Sequence, residues 1–158
     1  MKEIYSFEYE RYSDLKELSD KRKKVLKEAE KALAHAYSPY SKFSVGAALL
    51  LNDGNIIHGS NQENRAYPSG LCAERVALFS YGAGNSNEKI EKLGIVSSGK
   101  LLNKSDLLTP CGACRQVMAE FAYRQDSDFE ILMKNADGSI LVFKGISQLL
   151  PFTFGSEQ

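Results

Sequence analysis

The alternation of helix-type and strand-type hydrophobic patterns along the chain constrains its fold more than any other feature. Apolar residues recur at helical spacing over residues 15–36, with lysine and glutamate between them, which predicts an amphipathic helix. Pro39 lacks a backbone amide hydrogen and ends this pattern. Two β-rich runs follow, 43–51 and 55–60, and the Asn-Asp-Gly sequence between them predicts an antiparallel hairpin.

The second half of the chain continues this alternation. Its segments predict, in chain order, a helix over 72–81, a strand over 93–97, a helix that follows Pro110 and runs to Tyr123, strands over 129–133 and 140–143, and a short helix over 146–150. Gly82 and Gly84 end the first of these helices, and Pro151 ends the last. The order helix, hairpin, helix, strand, helix, strand, strand predicts a mixed sheet with helices packed on its faces.

The composition predicts one globular domain without a strongly charged surface. The chain has 158 residues, of which 43% are apolar, so we expect a single domain over residues 1–158 with one continuous core. Twenty basic residues balance twenty acidic ones, which argues against nucleic acid or an anionic membrane as a partner. Residues 1–14 contain no apolar run typical of a signal peptide or membrane helix, so we expect a cytoplasmic location. Residues 1–20 form an extra N-terminal segment that leads into the first helix, and no function is assigned to it.

The chain contains three cysteines, Cys72, Cys111 and Cys114, and an odd number cannot form a closed disulfide framework. Any one of them alone could be a small buried apolar residue. Cys111 and Cys114 are three positions apart at a predicted helix start, where both thiols can face one metal ion. The same Cys-x-x-Cys spacing also suits a thioredoxin-like redox pair, but that interpretation leaves Cys72 unexplained. With Cys72 as the third ligand, the set is three thiolates, one fewer than a tetrahedral zinc ion requires.

The fourth coordination position decides between a structural and a catalytic zinc site. A structural site is closed by four protein ligands, and the remaining candidates of the usual type are His35 and His58. Both lie in segments where a surface or capping role is expected, which leaves an open position for water. Glu74, two residues after Cys72, is then placed to transfer protons as a general acid and base. Acidic residues are also common at helix N-termini for electrostatic reasons alone, and this alternative applies to Glu74 as well.

Four motifs together resemble one family of zinc enzymes. The Cys-Ala-Glu sequence at 72–74 and the Pro-Cys-Gly-Ala-Cys sequence at 110–114 resemble the zinc deaminase signature, with cysteine where nucleic-acid deaminases have histidine. With Tyr-Ser-Pro-Tyr-Ser-Lys-Phe at 37–43 and Asn-x-Glu-Asn at 61–64, the chain is similar to the small tetrameric cytidine deaminases over residues 26–155. The resemblance implies an α/β fold, a three-layer α/β/α sandwich with a mixed five-stranded sheet, and a homotetramer.

The resemblance also implies the reaction and the metal site. The expected reaction is zinc-dependent hydrolysis of cytidine and deoxycytidine to uridine and deoxyuridine with release of ammonia, a step of pyrimidine salvage. One Zn²⁺ per chain is expected on Cys72, Cys111 and Cys114, with Glu74 as the catalytic residue. Arg75 matches an arginine that hydrogen-bonds to the zinc thiolates. Three thiolates on one Zn²⁺ leave a net negative charge, which a nearby cation would offset.

The substrate contacts implied by the resemblance involve five further residues. Asn61 and Glu63 match residues that hold the ribose 3′-hydroxyl, and the backbone around Ala73 and Cys111 is expected to read the edge of the ring. Phe43 matches an aromatic residue packed against the pyrimidine, and Phe154 matches one that a neighbouring subunit contributes. A turn at a strand end would explain Asn61 and Glu63 without a substrate, and a phenylalanine is most often a core residue.

The apolar residues near the C-terminal end bear on the predicted homotetramer. A closed symmetric assembly would bury Leu149, Leu150, Phe152 and Phe154, which otherwise form an exposed patch. The alternative is that these residues cap the core of their own domain.

Other activities stay open at this point, and some residues depart from the family pattern. Blasticidin deaminase shares the three-thiolate framework, although Asn61 and Glu63 together favour a nucleoside. A noncatalytic, zinc-stabilised binding module would be expected to lack the carboxylate of Glu74, and a nucleic-acid editor would need a basic channel. Arg65 stands where the family usually has a small residue, and the connection over 97–109 is long. Neither feature predicts a function.

Overall fold

The computed structural model describes residues 1–84 and 86–155 and contains, within them, six strands and three helices. The strands are β1 (Glu10–Tyr12), β2 (Ser44–Leu51), β3 (Ile56–Ser60), β4 (Ile90–Ser98), β5 (Glu130–Lys134) and β6 (Ile140–Phe143). The helices are α1 (Asp20–Ala32), α2 (Ala73–Ala83) and α3 (Gly112–Arg124). Short 3₁₀ turns cover Leu15–Glu17, Leu33–His35, Tyr67–Ser69 and Ile146–Gln148. None of the described helices is both long and apolar enough to cross a membrane.

The described strands form one mixed sheet in the order β1-β6-β5-β4-β2-β3. The β4–β5 pair is parallel, and the other neighbouring pairs are antiparallel. A parallel pair requires a crossover connection, and α3 lies in that connection. α1 covers one face of the sheet, and α2 and α3 cover the other. The predicted three-layer α/β/α arrangement around a mixed sheet is therefore confirmed.

The predicted count of five strands is wrong, because the N-terminal segment contributes a sixth strand. β1 pairs with β6 in a register that sets Glu10 opposite Val142 and Tyr12 opposite Ile140. A strand of three residues is too short to show the alternating hydrophobicity by which strands are recognised in a sequence. The Arg22 side chain on α1 donates hydrogen bonds to both Glu10 and Tyr12. Contacts that are distant in sequence therefore determine β1.

α1 is shorter than the helix predicted over residues 15–36. Leu18 and Ser19 have extended backbone conformations, so the α-helix begins only at Asp20. Ahead of this break, Asp14 and Glu17 form a capping box that starts the 3₁₀ turn Leu15–Glu17 as a separate element. The apolar spacing continues across the break, and for this reason the sequence pattern indicates one longer helix.

α2 packs closely on β3, and this contact positions the residues at the start of the helix. A Cβ atom at Gly59 on β3 would lie 2.3 Å from the Ala73 carbonyl oxygen and 2.5 Å from the Ala77 nitrogen. Only glycine permits this approach of two backbones. Ala73 and Ala77 are completely buried in the core between the sheet and the helices α2 and α3. The start of α2 is therefore held rigidly on the sheet.

Candidate active site and metal centre

The thiols of the three cysteines meet where α2 and α3 begin. Cys72 is the N-cap residue of α2, Cys111 is the N-cap residue of α3, and Cys114 lies in the first turn of α3. The three Sγ atoms lie within 4.8 Å of one another. The distance is 3.8 Å from Cys72 to Cys111 and 3.4 Å from Cys111 to Cys114. The fold thus brings together the three ligands that the sequence predicts.

A zinc ion fits this group of thiols. Tetrahedral zinc with Zn–S distances of about 2.3 Å holds its sulfur ligands about 3.8 Å apart, close to the spacings in this structure. Among the described residues, these three cysteines are the one group of three or more His, Cys, Asp or Glu side chains whose ligand atoms lie close enough together to bind one metal ion. His58 lies elsewhere, with its Nε2 atom 2.9 Å from Glu28 Oε2, and His35 is exposed. The protein therefore offers three ligands, and a tetrahedral ion would have one position open to water or substrate.

Arg75 faces the thiols from the first turn of α2. Its Nη2 atom lies 3.6 Å from Cys72 Sγ. Its Nε atom is buried and has no hydrogen-bond partner. Among the described residues, it is the one buried side-chain nitrogen or oxygen of which this is true. A hydrogen bond with the Cys114 thiol lowers the pKa of Cys72 to about 5, and Arg75 acts in the same direction. The same shared hydrogen bond, together with burial, raises the pKa of Cys114. The guanidinium group is thus placed to stabilise negative charge on the thiolates.

Glu74 lies on the same turn of α2 and is almost completely buried, with 5% of its surface exposed. Burial raises the pKa of its carboxyl group to about 7, and negative charge on Cys72 acts in the same direction. A carboxyl group with a pKa near neutrality can both accept and donate a proton at neutral pH. An acidic residue that only complements a helix N-terminus is normally solvated, because an unpaired carboxylate is costly to bury. The surroundings of Glu74 are therefore those of a proton-transfer group.

A cavity of about 490 Å³ opens beside the thiols and Glu74, within the range of small-molecule sites. Seven of the predicted site residues line it, namely Phe43, Asn61, Glu63, Cys72, Glu74, Arg75 and Cys111. Cys114 and Ala73 are completely buried and do not line the cavity. Phe154 is 93% exposed and lies outside the cavity of its own chain. A contact of Phe154 or of the Ala73 backbone with substrate therefore stays a prediction.

Asn61 and Glu63 hold the segment that carries Phe43. The Asn61 side chain accepts a hydrogen bond from the Val45 backbone nitrogen at 2.8 Å and donates one to the Phe43 carbonyl oxygen at 2.9 Å. The Glu63 carboxylate accepts a hydrogen bond from the Tyr40 backbone nitrogen at 2.8 Å. Hydrogen bonds from Ser41 and from the Tyr40 backbone lower the pKa of Glu63, so this carboxyl group is ionised at neutral pH. Both residues therefore shape one wall of the cavity through backbone contacts that the sequence does not reveal.

Two polar side chains that the sequence analysis did not identify hold the residues before Cys111. Asn135 is buried, and its Oδ1 atom accepts a hydrogen bond from the Leu108 nitrogen at 2.8 Å. Arg115 donates a hydrogen bond from Nε to the Pro110 carbonyl oxygen at 2.9 Å. The position of Arg115 directly after the cysteine motif could have indicated this role. The sequence around Asn135 predicts only a turn between two strands, so it gives no indication of the contact with Leu108.

The long connection over residues 97–109 also contributes to the cavity. Leu101 and Thr109 line it, although no function was predicted for this segment. Arg65 is exposed and does not line the cavity. Arg65, which departs from the family pattern, is therefore not part of the cavity wall.

Comparison with known proteins finds consistent similarities. Residues 19–126 match the family model of the cytidine and deoxycytidylate deaminase zinc-binding region. The chain is 41% identical to a cytidine deaminase of Halalkalibacterium halodurans over 86% of this chain and 96% of that protein. It is 40% identical to a cytidine deaminase of Sporosarcina psychrophila, over 85% of this chain and 91% of that protein. The crystal structure of cytidine deaminase from Burkholderia pseudomallei superposes with a TM-score of 0.72 at 37% identity, covering 87% of this chain and 100% of that one.

Proposed function

Because the chain belongs to the cytidine and deoxycytidylate deaminase family, we propose that it hydrolyses cytidine and deoxycytidine to uridine and deoxyuridine, releasing the 4-amino group as ammonia. One observation carries this proposal: three thiols at zinc-ligand spacing lie next to a buried carboxyl group at a cavity sized for a small molecule. The similarity to cytidine deaminases supports the choice of substrate. Such a reaction serves pyrimidine salvage.

Cys72, Cys111 and Cys114 would hold the zinc ion. When bound, zinc supplies a Lewis acid and lowers the pKa of a water molecule toward neutrality. Three thiolates would make the site negatively charged, which weakens this effect. Arg75 and the N-terminal ends of α2 and α3 oppose that charge, since each presents positive charge or partial positive charge to the sulfur atoms.

Glu74 would move the protons of the reaction. A water molecule that attacks C4 must lose one proton, and ring N3 must gain one. When the bond from C4 to the amino nitrogen then breaks, the new C4 hydroxyl loses its remaining proton to become the carbonyl, and the departing amino group gains one to leave as ammonia. Glu74 lines the cavity beside the thiols, so one carboxyl group can serve these transfers in turn. Its burial limits exchange of the transferred proton with bulk water.

Phe43, Asn61 and Glu63 would bind the nucleoside at the other side of the cavity. We assign the face of the pyrimidine to Phe43 and the ribose 3′-hydroxyl to Asn61 and Glu63. A sugar hydroxyl can donate a hydrogen bond to the ionised Glu63 carboxylate, and a side-chain amide has capacity beyond two backbone hydrogen bonds. The backbone around Ala73 would read the edge of the ring.

The proposed working unit is a homotetramer in which Phe154 of one chain reaches the cavity of another. A chain of this size has little surface with which to enclose a ligand on all sides, and pockets often form at interfaces. Phe152 and Phe154 are 69% and 93% exposed, which is consistent with a partner covering them. The proposed location is the cytoplasm, because the cysteines must stay reduced to bind zinc.

The decisive experiment is a substrate panel with the protein purified without chelator. Ammonia release is measured on cytidine, deoxycytidine, cytosine, blasticidin S and a cytosine-containing oligonucleotide, with zinc content determined on the same sample. The Glu74→Gln variant, prepared in parallel, measures contaminating activity. We expect turnover of both nucleosides and little or none of the free base or the oligonucleotide.

Two results would contradict the proposal. A clear preference for blasticidin S would assign the site to a related cytosine compound. Zinc-loaded protein that releases no ammonia from any member of the panel would instead indicate a noncatalytic binding module.

A further inference from the structure

The N-terminal segment is firmly attached to the fold although it lies almost entirely outside the residues that the family model matches. Arg22 on α1 donates hydrogen bonds to Glu10 at 2.8 Å and to the Tyr12 hydroxyl at 2.9 Å, and its side chain is 16% exposed. Tyr9 stacks on Phe143 of β6 with 5.4 Å between the ring centroids. These contacts fix β1 at the edge of the sheet.

The residues ahead of β1 contact the C-terminal tail, which we define as residues 146–155. The Tyr5 hydroxyl donates a hydrogen bond to the Ser147 carbonyl oxygen at 2.5 Å. The Tyr5 ring also lies 6.3 Å from the ring of Phe152. The Glu8 backbone nitrogen donates a hydrogen bond to Gln148 Oε1 at 2.8 Å. The two ends of the chain are therefore held together, although about 140 positions separate them in sequence.

The other side of the tail is attached to α3, close to Cys114. Arg115 donates a hydrogen bond from Nη1 to the Leu149 carbonyl oxygen at 2.8 Å. The Gln116 side chain accepts a hydrogen bond from the Phe154 nitrogen at 3.3 Å and donates one to the Phe154 carbonyl oxygen at 3.4 Å. The Phe154 backbone is thus held in place while its side chain is almost fully exposed.

We propose that the N-terminal segment positions the C-terminal tail against α3, so that Phe154 is presented in a fixed place to the cavity of a second copy of the chain. This inference rests on the proposed function, in which Phe154 completes the cavity of a neighbouring subunit. Holding the tail before assembly removes part of the entropic cost of ordering it in the complex. Tyr5 is accordingly a positioning residue, since it acts through the tail and not on the substrate.

The first test measures the attachment of the tail without using activity. Hydrogen exchange of the tail amides is followed in Tyr5→Ala, with Ile4→Ala as the matched control because Ile4 is 86% exposed. We expect severalfold faster exchange over residues 146–155 in Tyr5→Ala and unchanged exchange in Ile4→Ala. Tyr5→Phe keeps the ring and loses the hydroxyl, and it should restore part of the protection. Equal exchange in Tyr5→Ala and Ile4→Ala overturns the proposal.

The second test separates this role from general stability. We expect the KM for cytidine to rise about three- to tenfold in Tyr5→Ala, the range for loss of one or two weak contacts, while kcat and zinc content stay unchanged. Tyr5→Phe should lie between wild type and Tyr5→Ala. A faster-exchanging tail with an unchanged KM contradicts the positioning role.

Phe154→Ala distinguishes failure of this inference from failure of the proposed function. If Phe154→Ala raises KM and Tyr5→Ala does not, only the positioning role is wrong. If Phe154→Ala leaves KM unchanged while the protein deaminates cytidine, Phe154 does not serve a neighbouring cavity, and the positioning role fails with it. If wild type does not act on cytidine, the proposed function itself fails.

Discussion

Burial distinguishes Glu74 from the other acidic side chains in the described part of the chain. Among the described residues, Glu74 is the one buried carboxyl group, and it lines the cavity beside the thiols. A buried carboxylate is costly for the fold unless it is compensated, whereas an amide of the same shape is less so. If position 74 contributed only to stability, glutamine there would give a more stable fold than glutamate. This contrast allows function and stability to be separated at one position.

We predict that Glu74→Gln lowers kcat by about 10²–10⁴-fold, because the amide cannot transfer protons. Zinc content and the free energy of unfolding should not decrease. Steady-state kinetics, metal analysis and denaturant titration measure these three quantities. Glu120→Gln on the exposed face of α3 is the matched control and should behave as wild type. If Glu74→Gln retained wild-type turnover, Glu74 would have no role in proton transfer and would only complement the N-terminal end of α2 electrostatically.

Residue identity at the site could be predicted from spacing, but the supporting contacts could not. Cys72, Cys111 and Cys114 are recognisable because cysteine is one of the few residue types that bind zinc, and two of these three lie on one turn at ligand spacing. The hydrogen bond that attaches Asn135 to Leu108, ahead of Cys111, connects positions 27 apart in sequence. No local pattern encodes such a contact, because it depends on how the fold brings the end of β5 next to the segment that precedes α3.

At the scale of elements, the placement of α2 on β3 determines where Cys72 and Glu74 lie. The close approach at Gly59 leaves no room for a Cβ atom, since both nearest atoms belong to the helix backbone. Backbone atoms cannot move aside as the end of a flexible side chain can. A larger residue here must therefore shift the whole start of α2.

We predict that Gly59→Ala destabilises the zinc-loaded protein by about 3 kcal/mol, the upper part of the range for overpacking a core. The shift of α2 should also lower zinc occupancy, because Cys72 moves relative to the two thiols on α3. Thermal or denaturant unfolding and metal analysis measure both effects. Gly112→Ala serves as the stability control, since a Cβ atom there would meet no atom within 4 Å. Equal stability of the two variants would mean that α2 is not held at Gly59.

Charged side chains connect β1 to the rest of the sheet through Arg22. Arg22 hydrogen-bonds to Glu10 on β1 and, with Nε at 3.2 Å, to Glu130 on β5. Lys92 on β4 also contacts Glu130 at 2.7 Å. Burial alone would raise the pKa of Glu130, but hydrogen bonds from Arg22 and Lys92 outweigh it and lower the pKa below its usual value. This ion network explains why a three-residue strand is stable at the edge of the sheet.

We predict that Glu130→Gln lowers the free energy of unfolding by about 2 kcal/mol at neutral pH, a value between those of exposed and buried ion pairs. The pKa of Glu130 is lower in the folded than in the unfolded state, so its contribution is complete above the unfolded value of 4.5. The contribution is lost as pH falls through the lower folded pKa. The stability difference between wild type and variant should therefore shrink in acid. Denaturant titrations of both proteins, from neutral pH to a pH below 4.5, measure this difference. A difference in the free energy of unfolding that stays constant with pH would contradict the prediction.

The elements that the sequence predicts well are those with long, regular patterns. The hairpin of β2 and β3 and the helices α2 and α3 follow hydrophobic spacing and turn residues, and their observed bounds differ from the predicted ones by a few positions. β1 was not predicted, because the contacts that stabilise it come from Arg22 and from β6, which are distant in sequence. The length of α1 was overestimated because apolar spacing does not reveal the extended residues at Leu18 and Ser19.

At the scale of the whole molecule, the apolar residues near the C-terminal end have two different environments. Leu149 is 8% exposed and packs on the core of its own chain, and Leu150 is partly buried against the same core. Phe152 and Phe154 remain exposed. The expectation of one exposed patch that includes all four residues is therefore wrong for the leucines. The two phenylalanines are left as the residues that an assembly would cover.

The homotetramer is tested by the mass in solution and by removal of these phenylalanines. We predict a light-scattering mass four times that of the chain at working concentration. A chain that ends at Leu150 keeps the leucines in its own core but lacks Phe152 and Phe154, so it should fold and bind zinc. Its kcat/KM for cytidine should fall at least about tenfold, because the neighbouring cavity loses an aromatic contact with the substrate. The double variant Phe152→Ala with Phe154→Ala, in the full chain, should reproduce this loss and serves as the control for effects of truncation itself. An active monomer, or a truncated chain with undiminished turnover, would show that each cavity is complete within one chain.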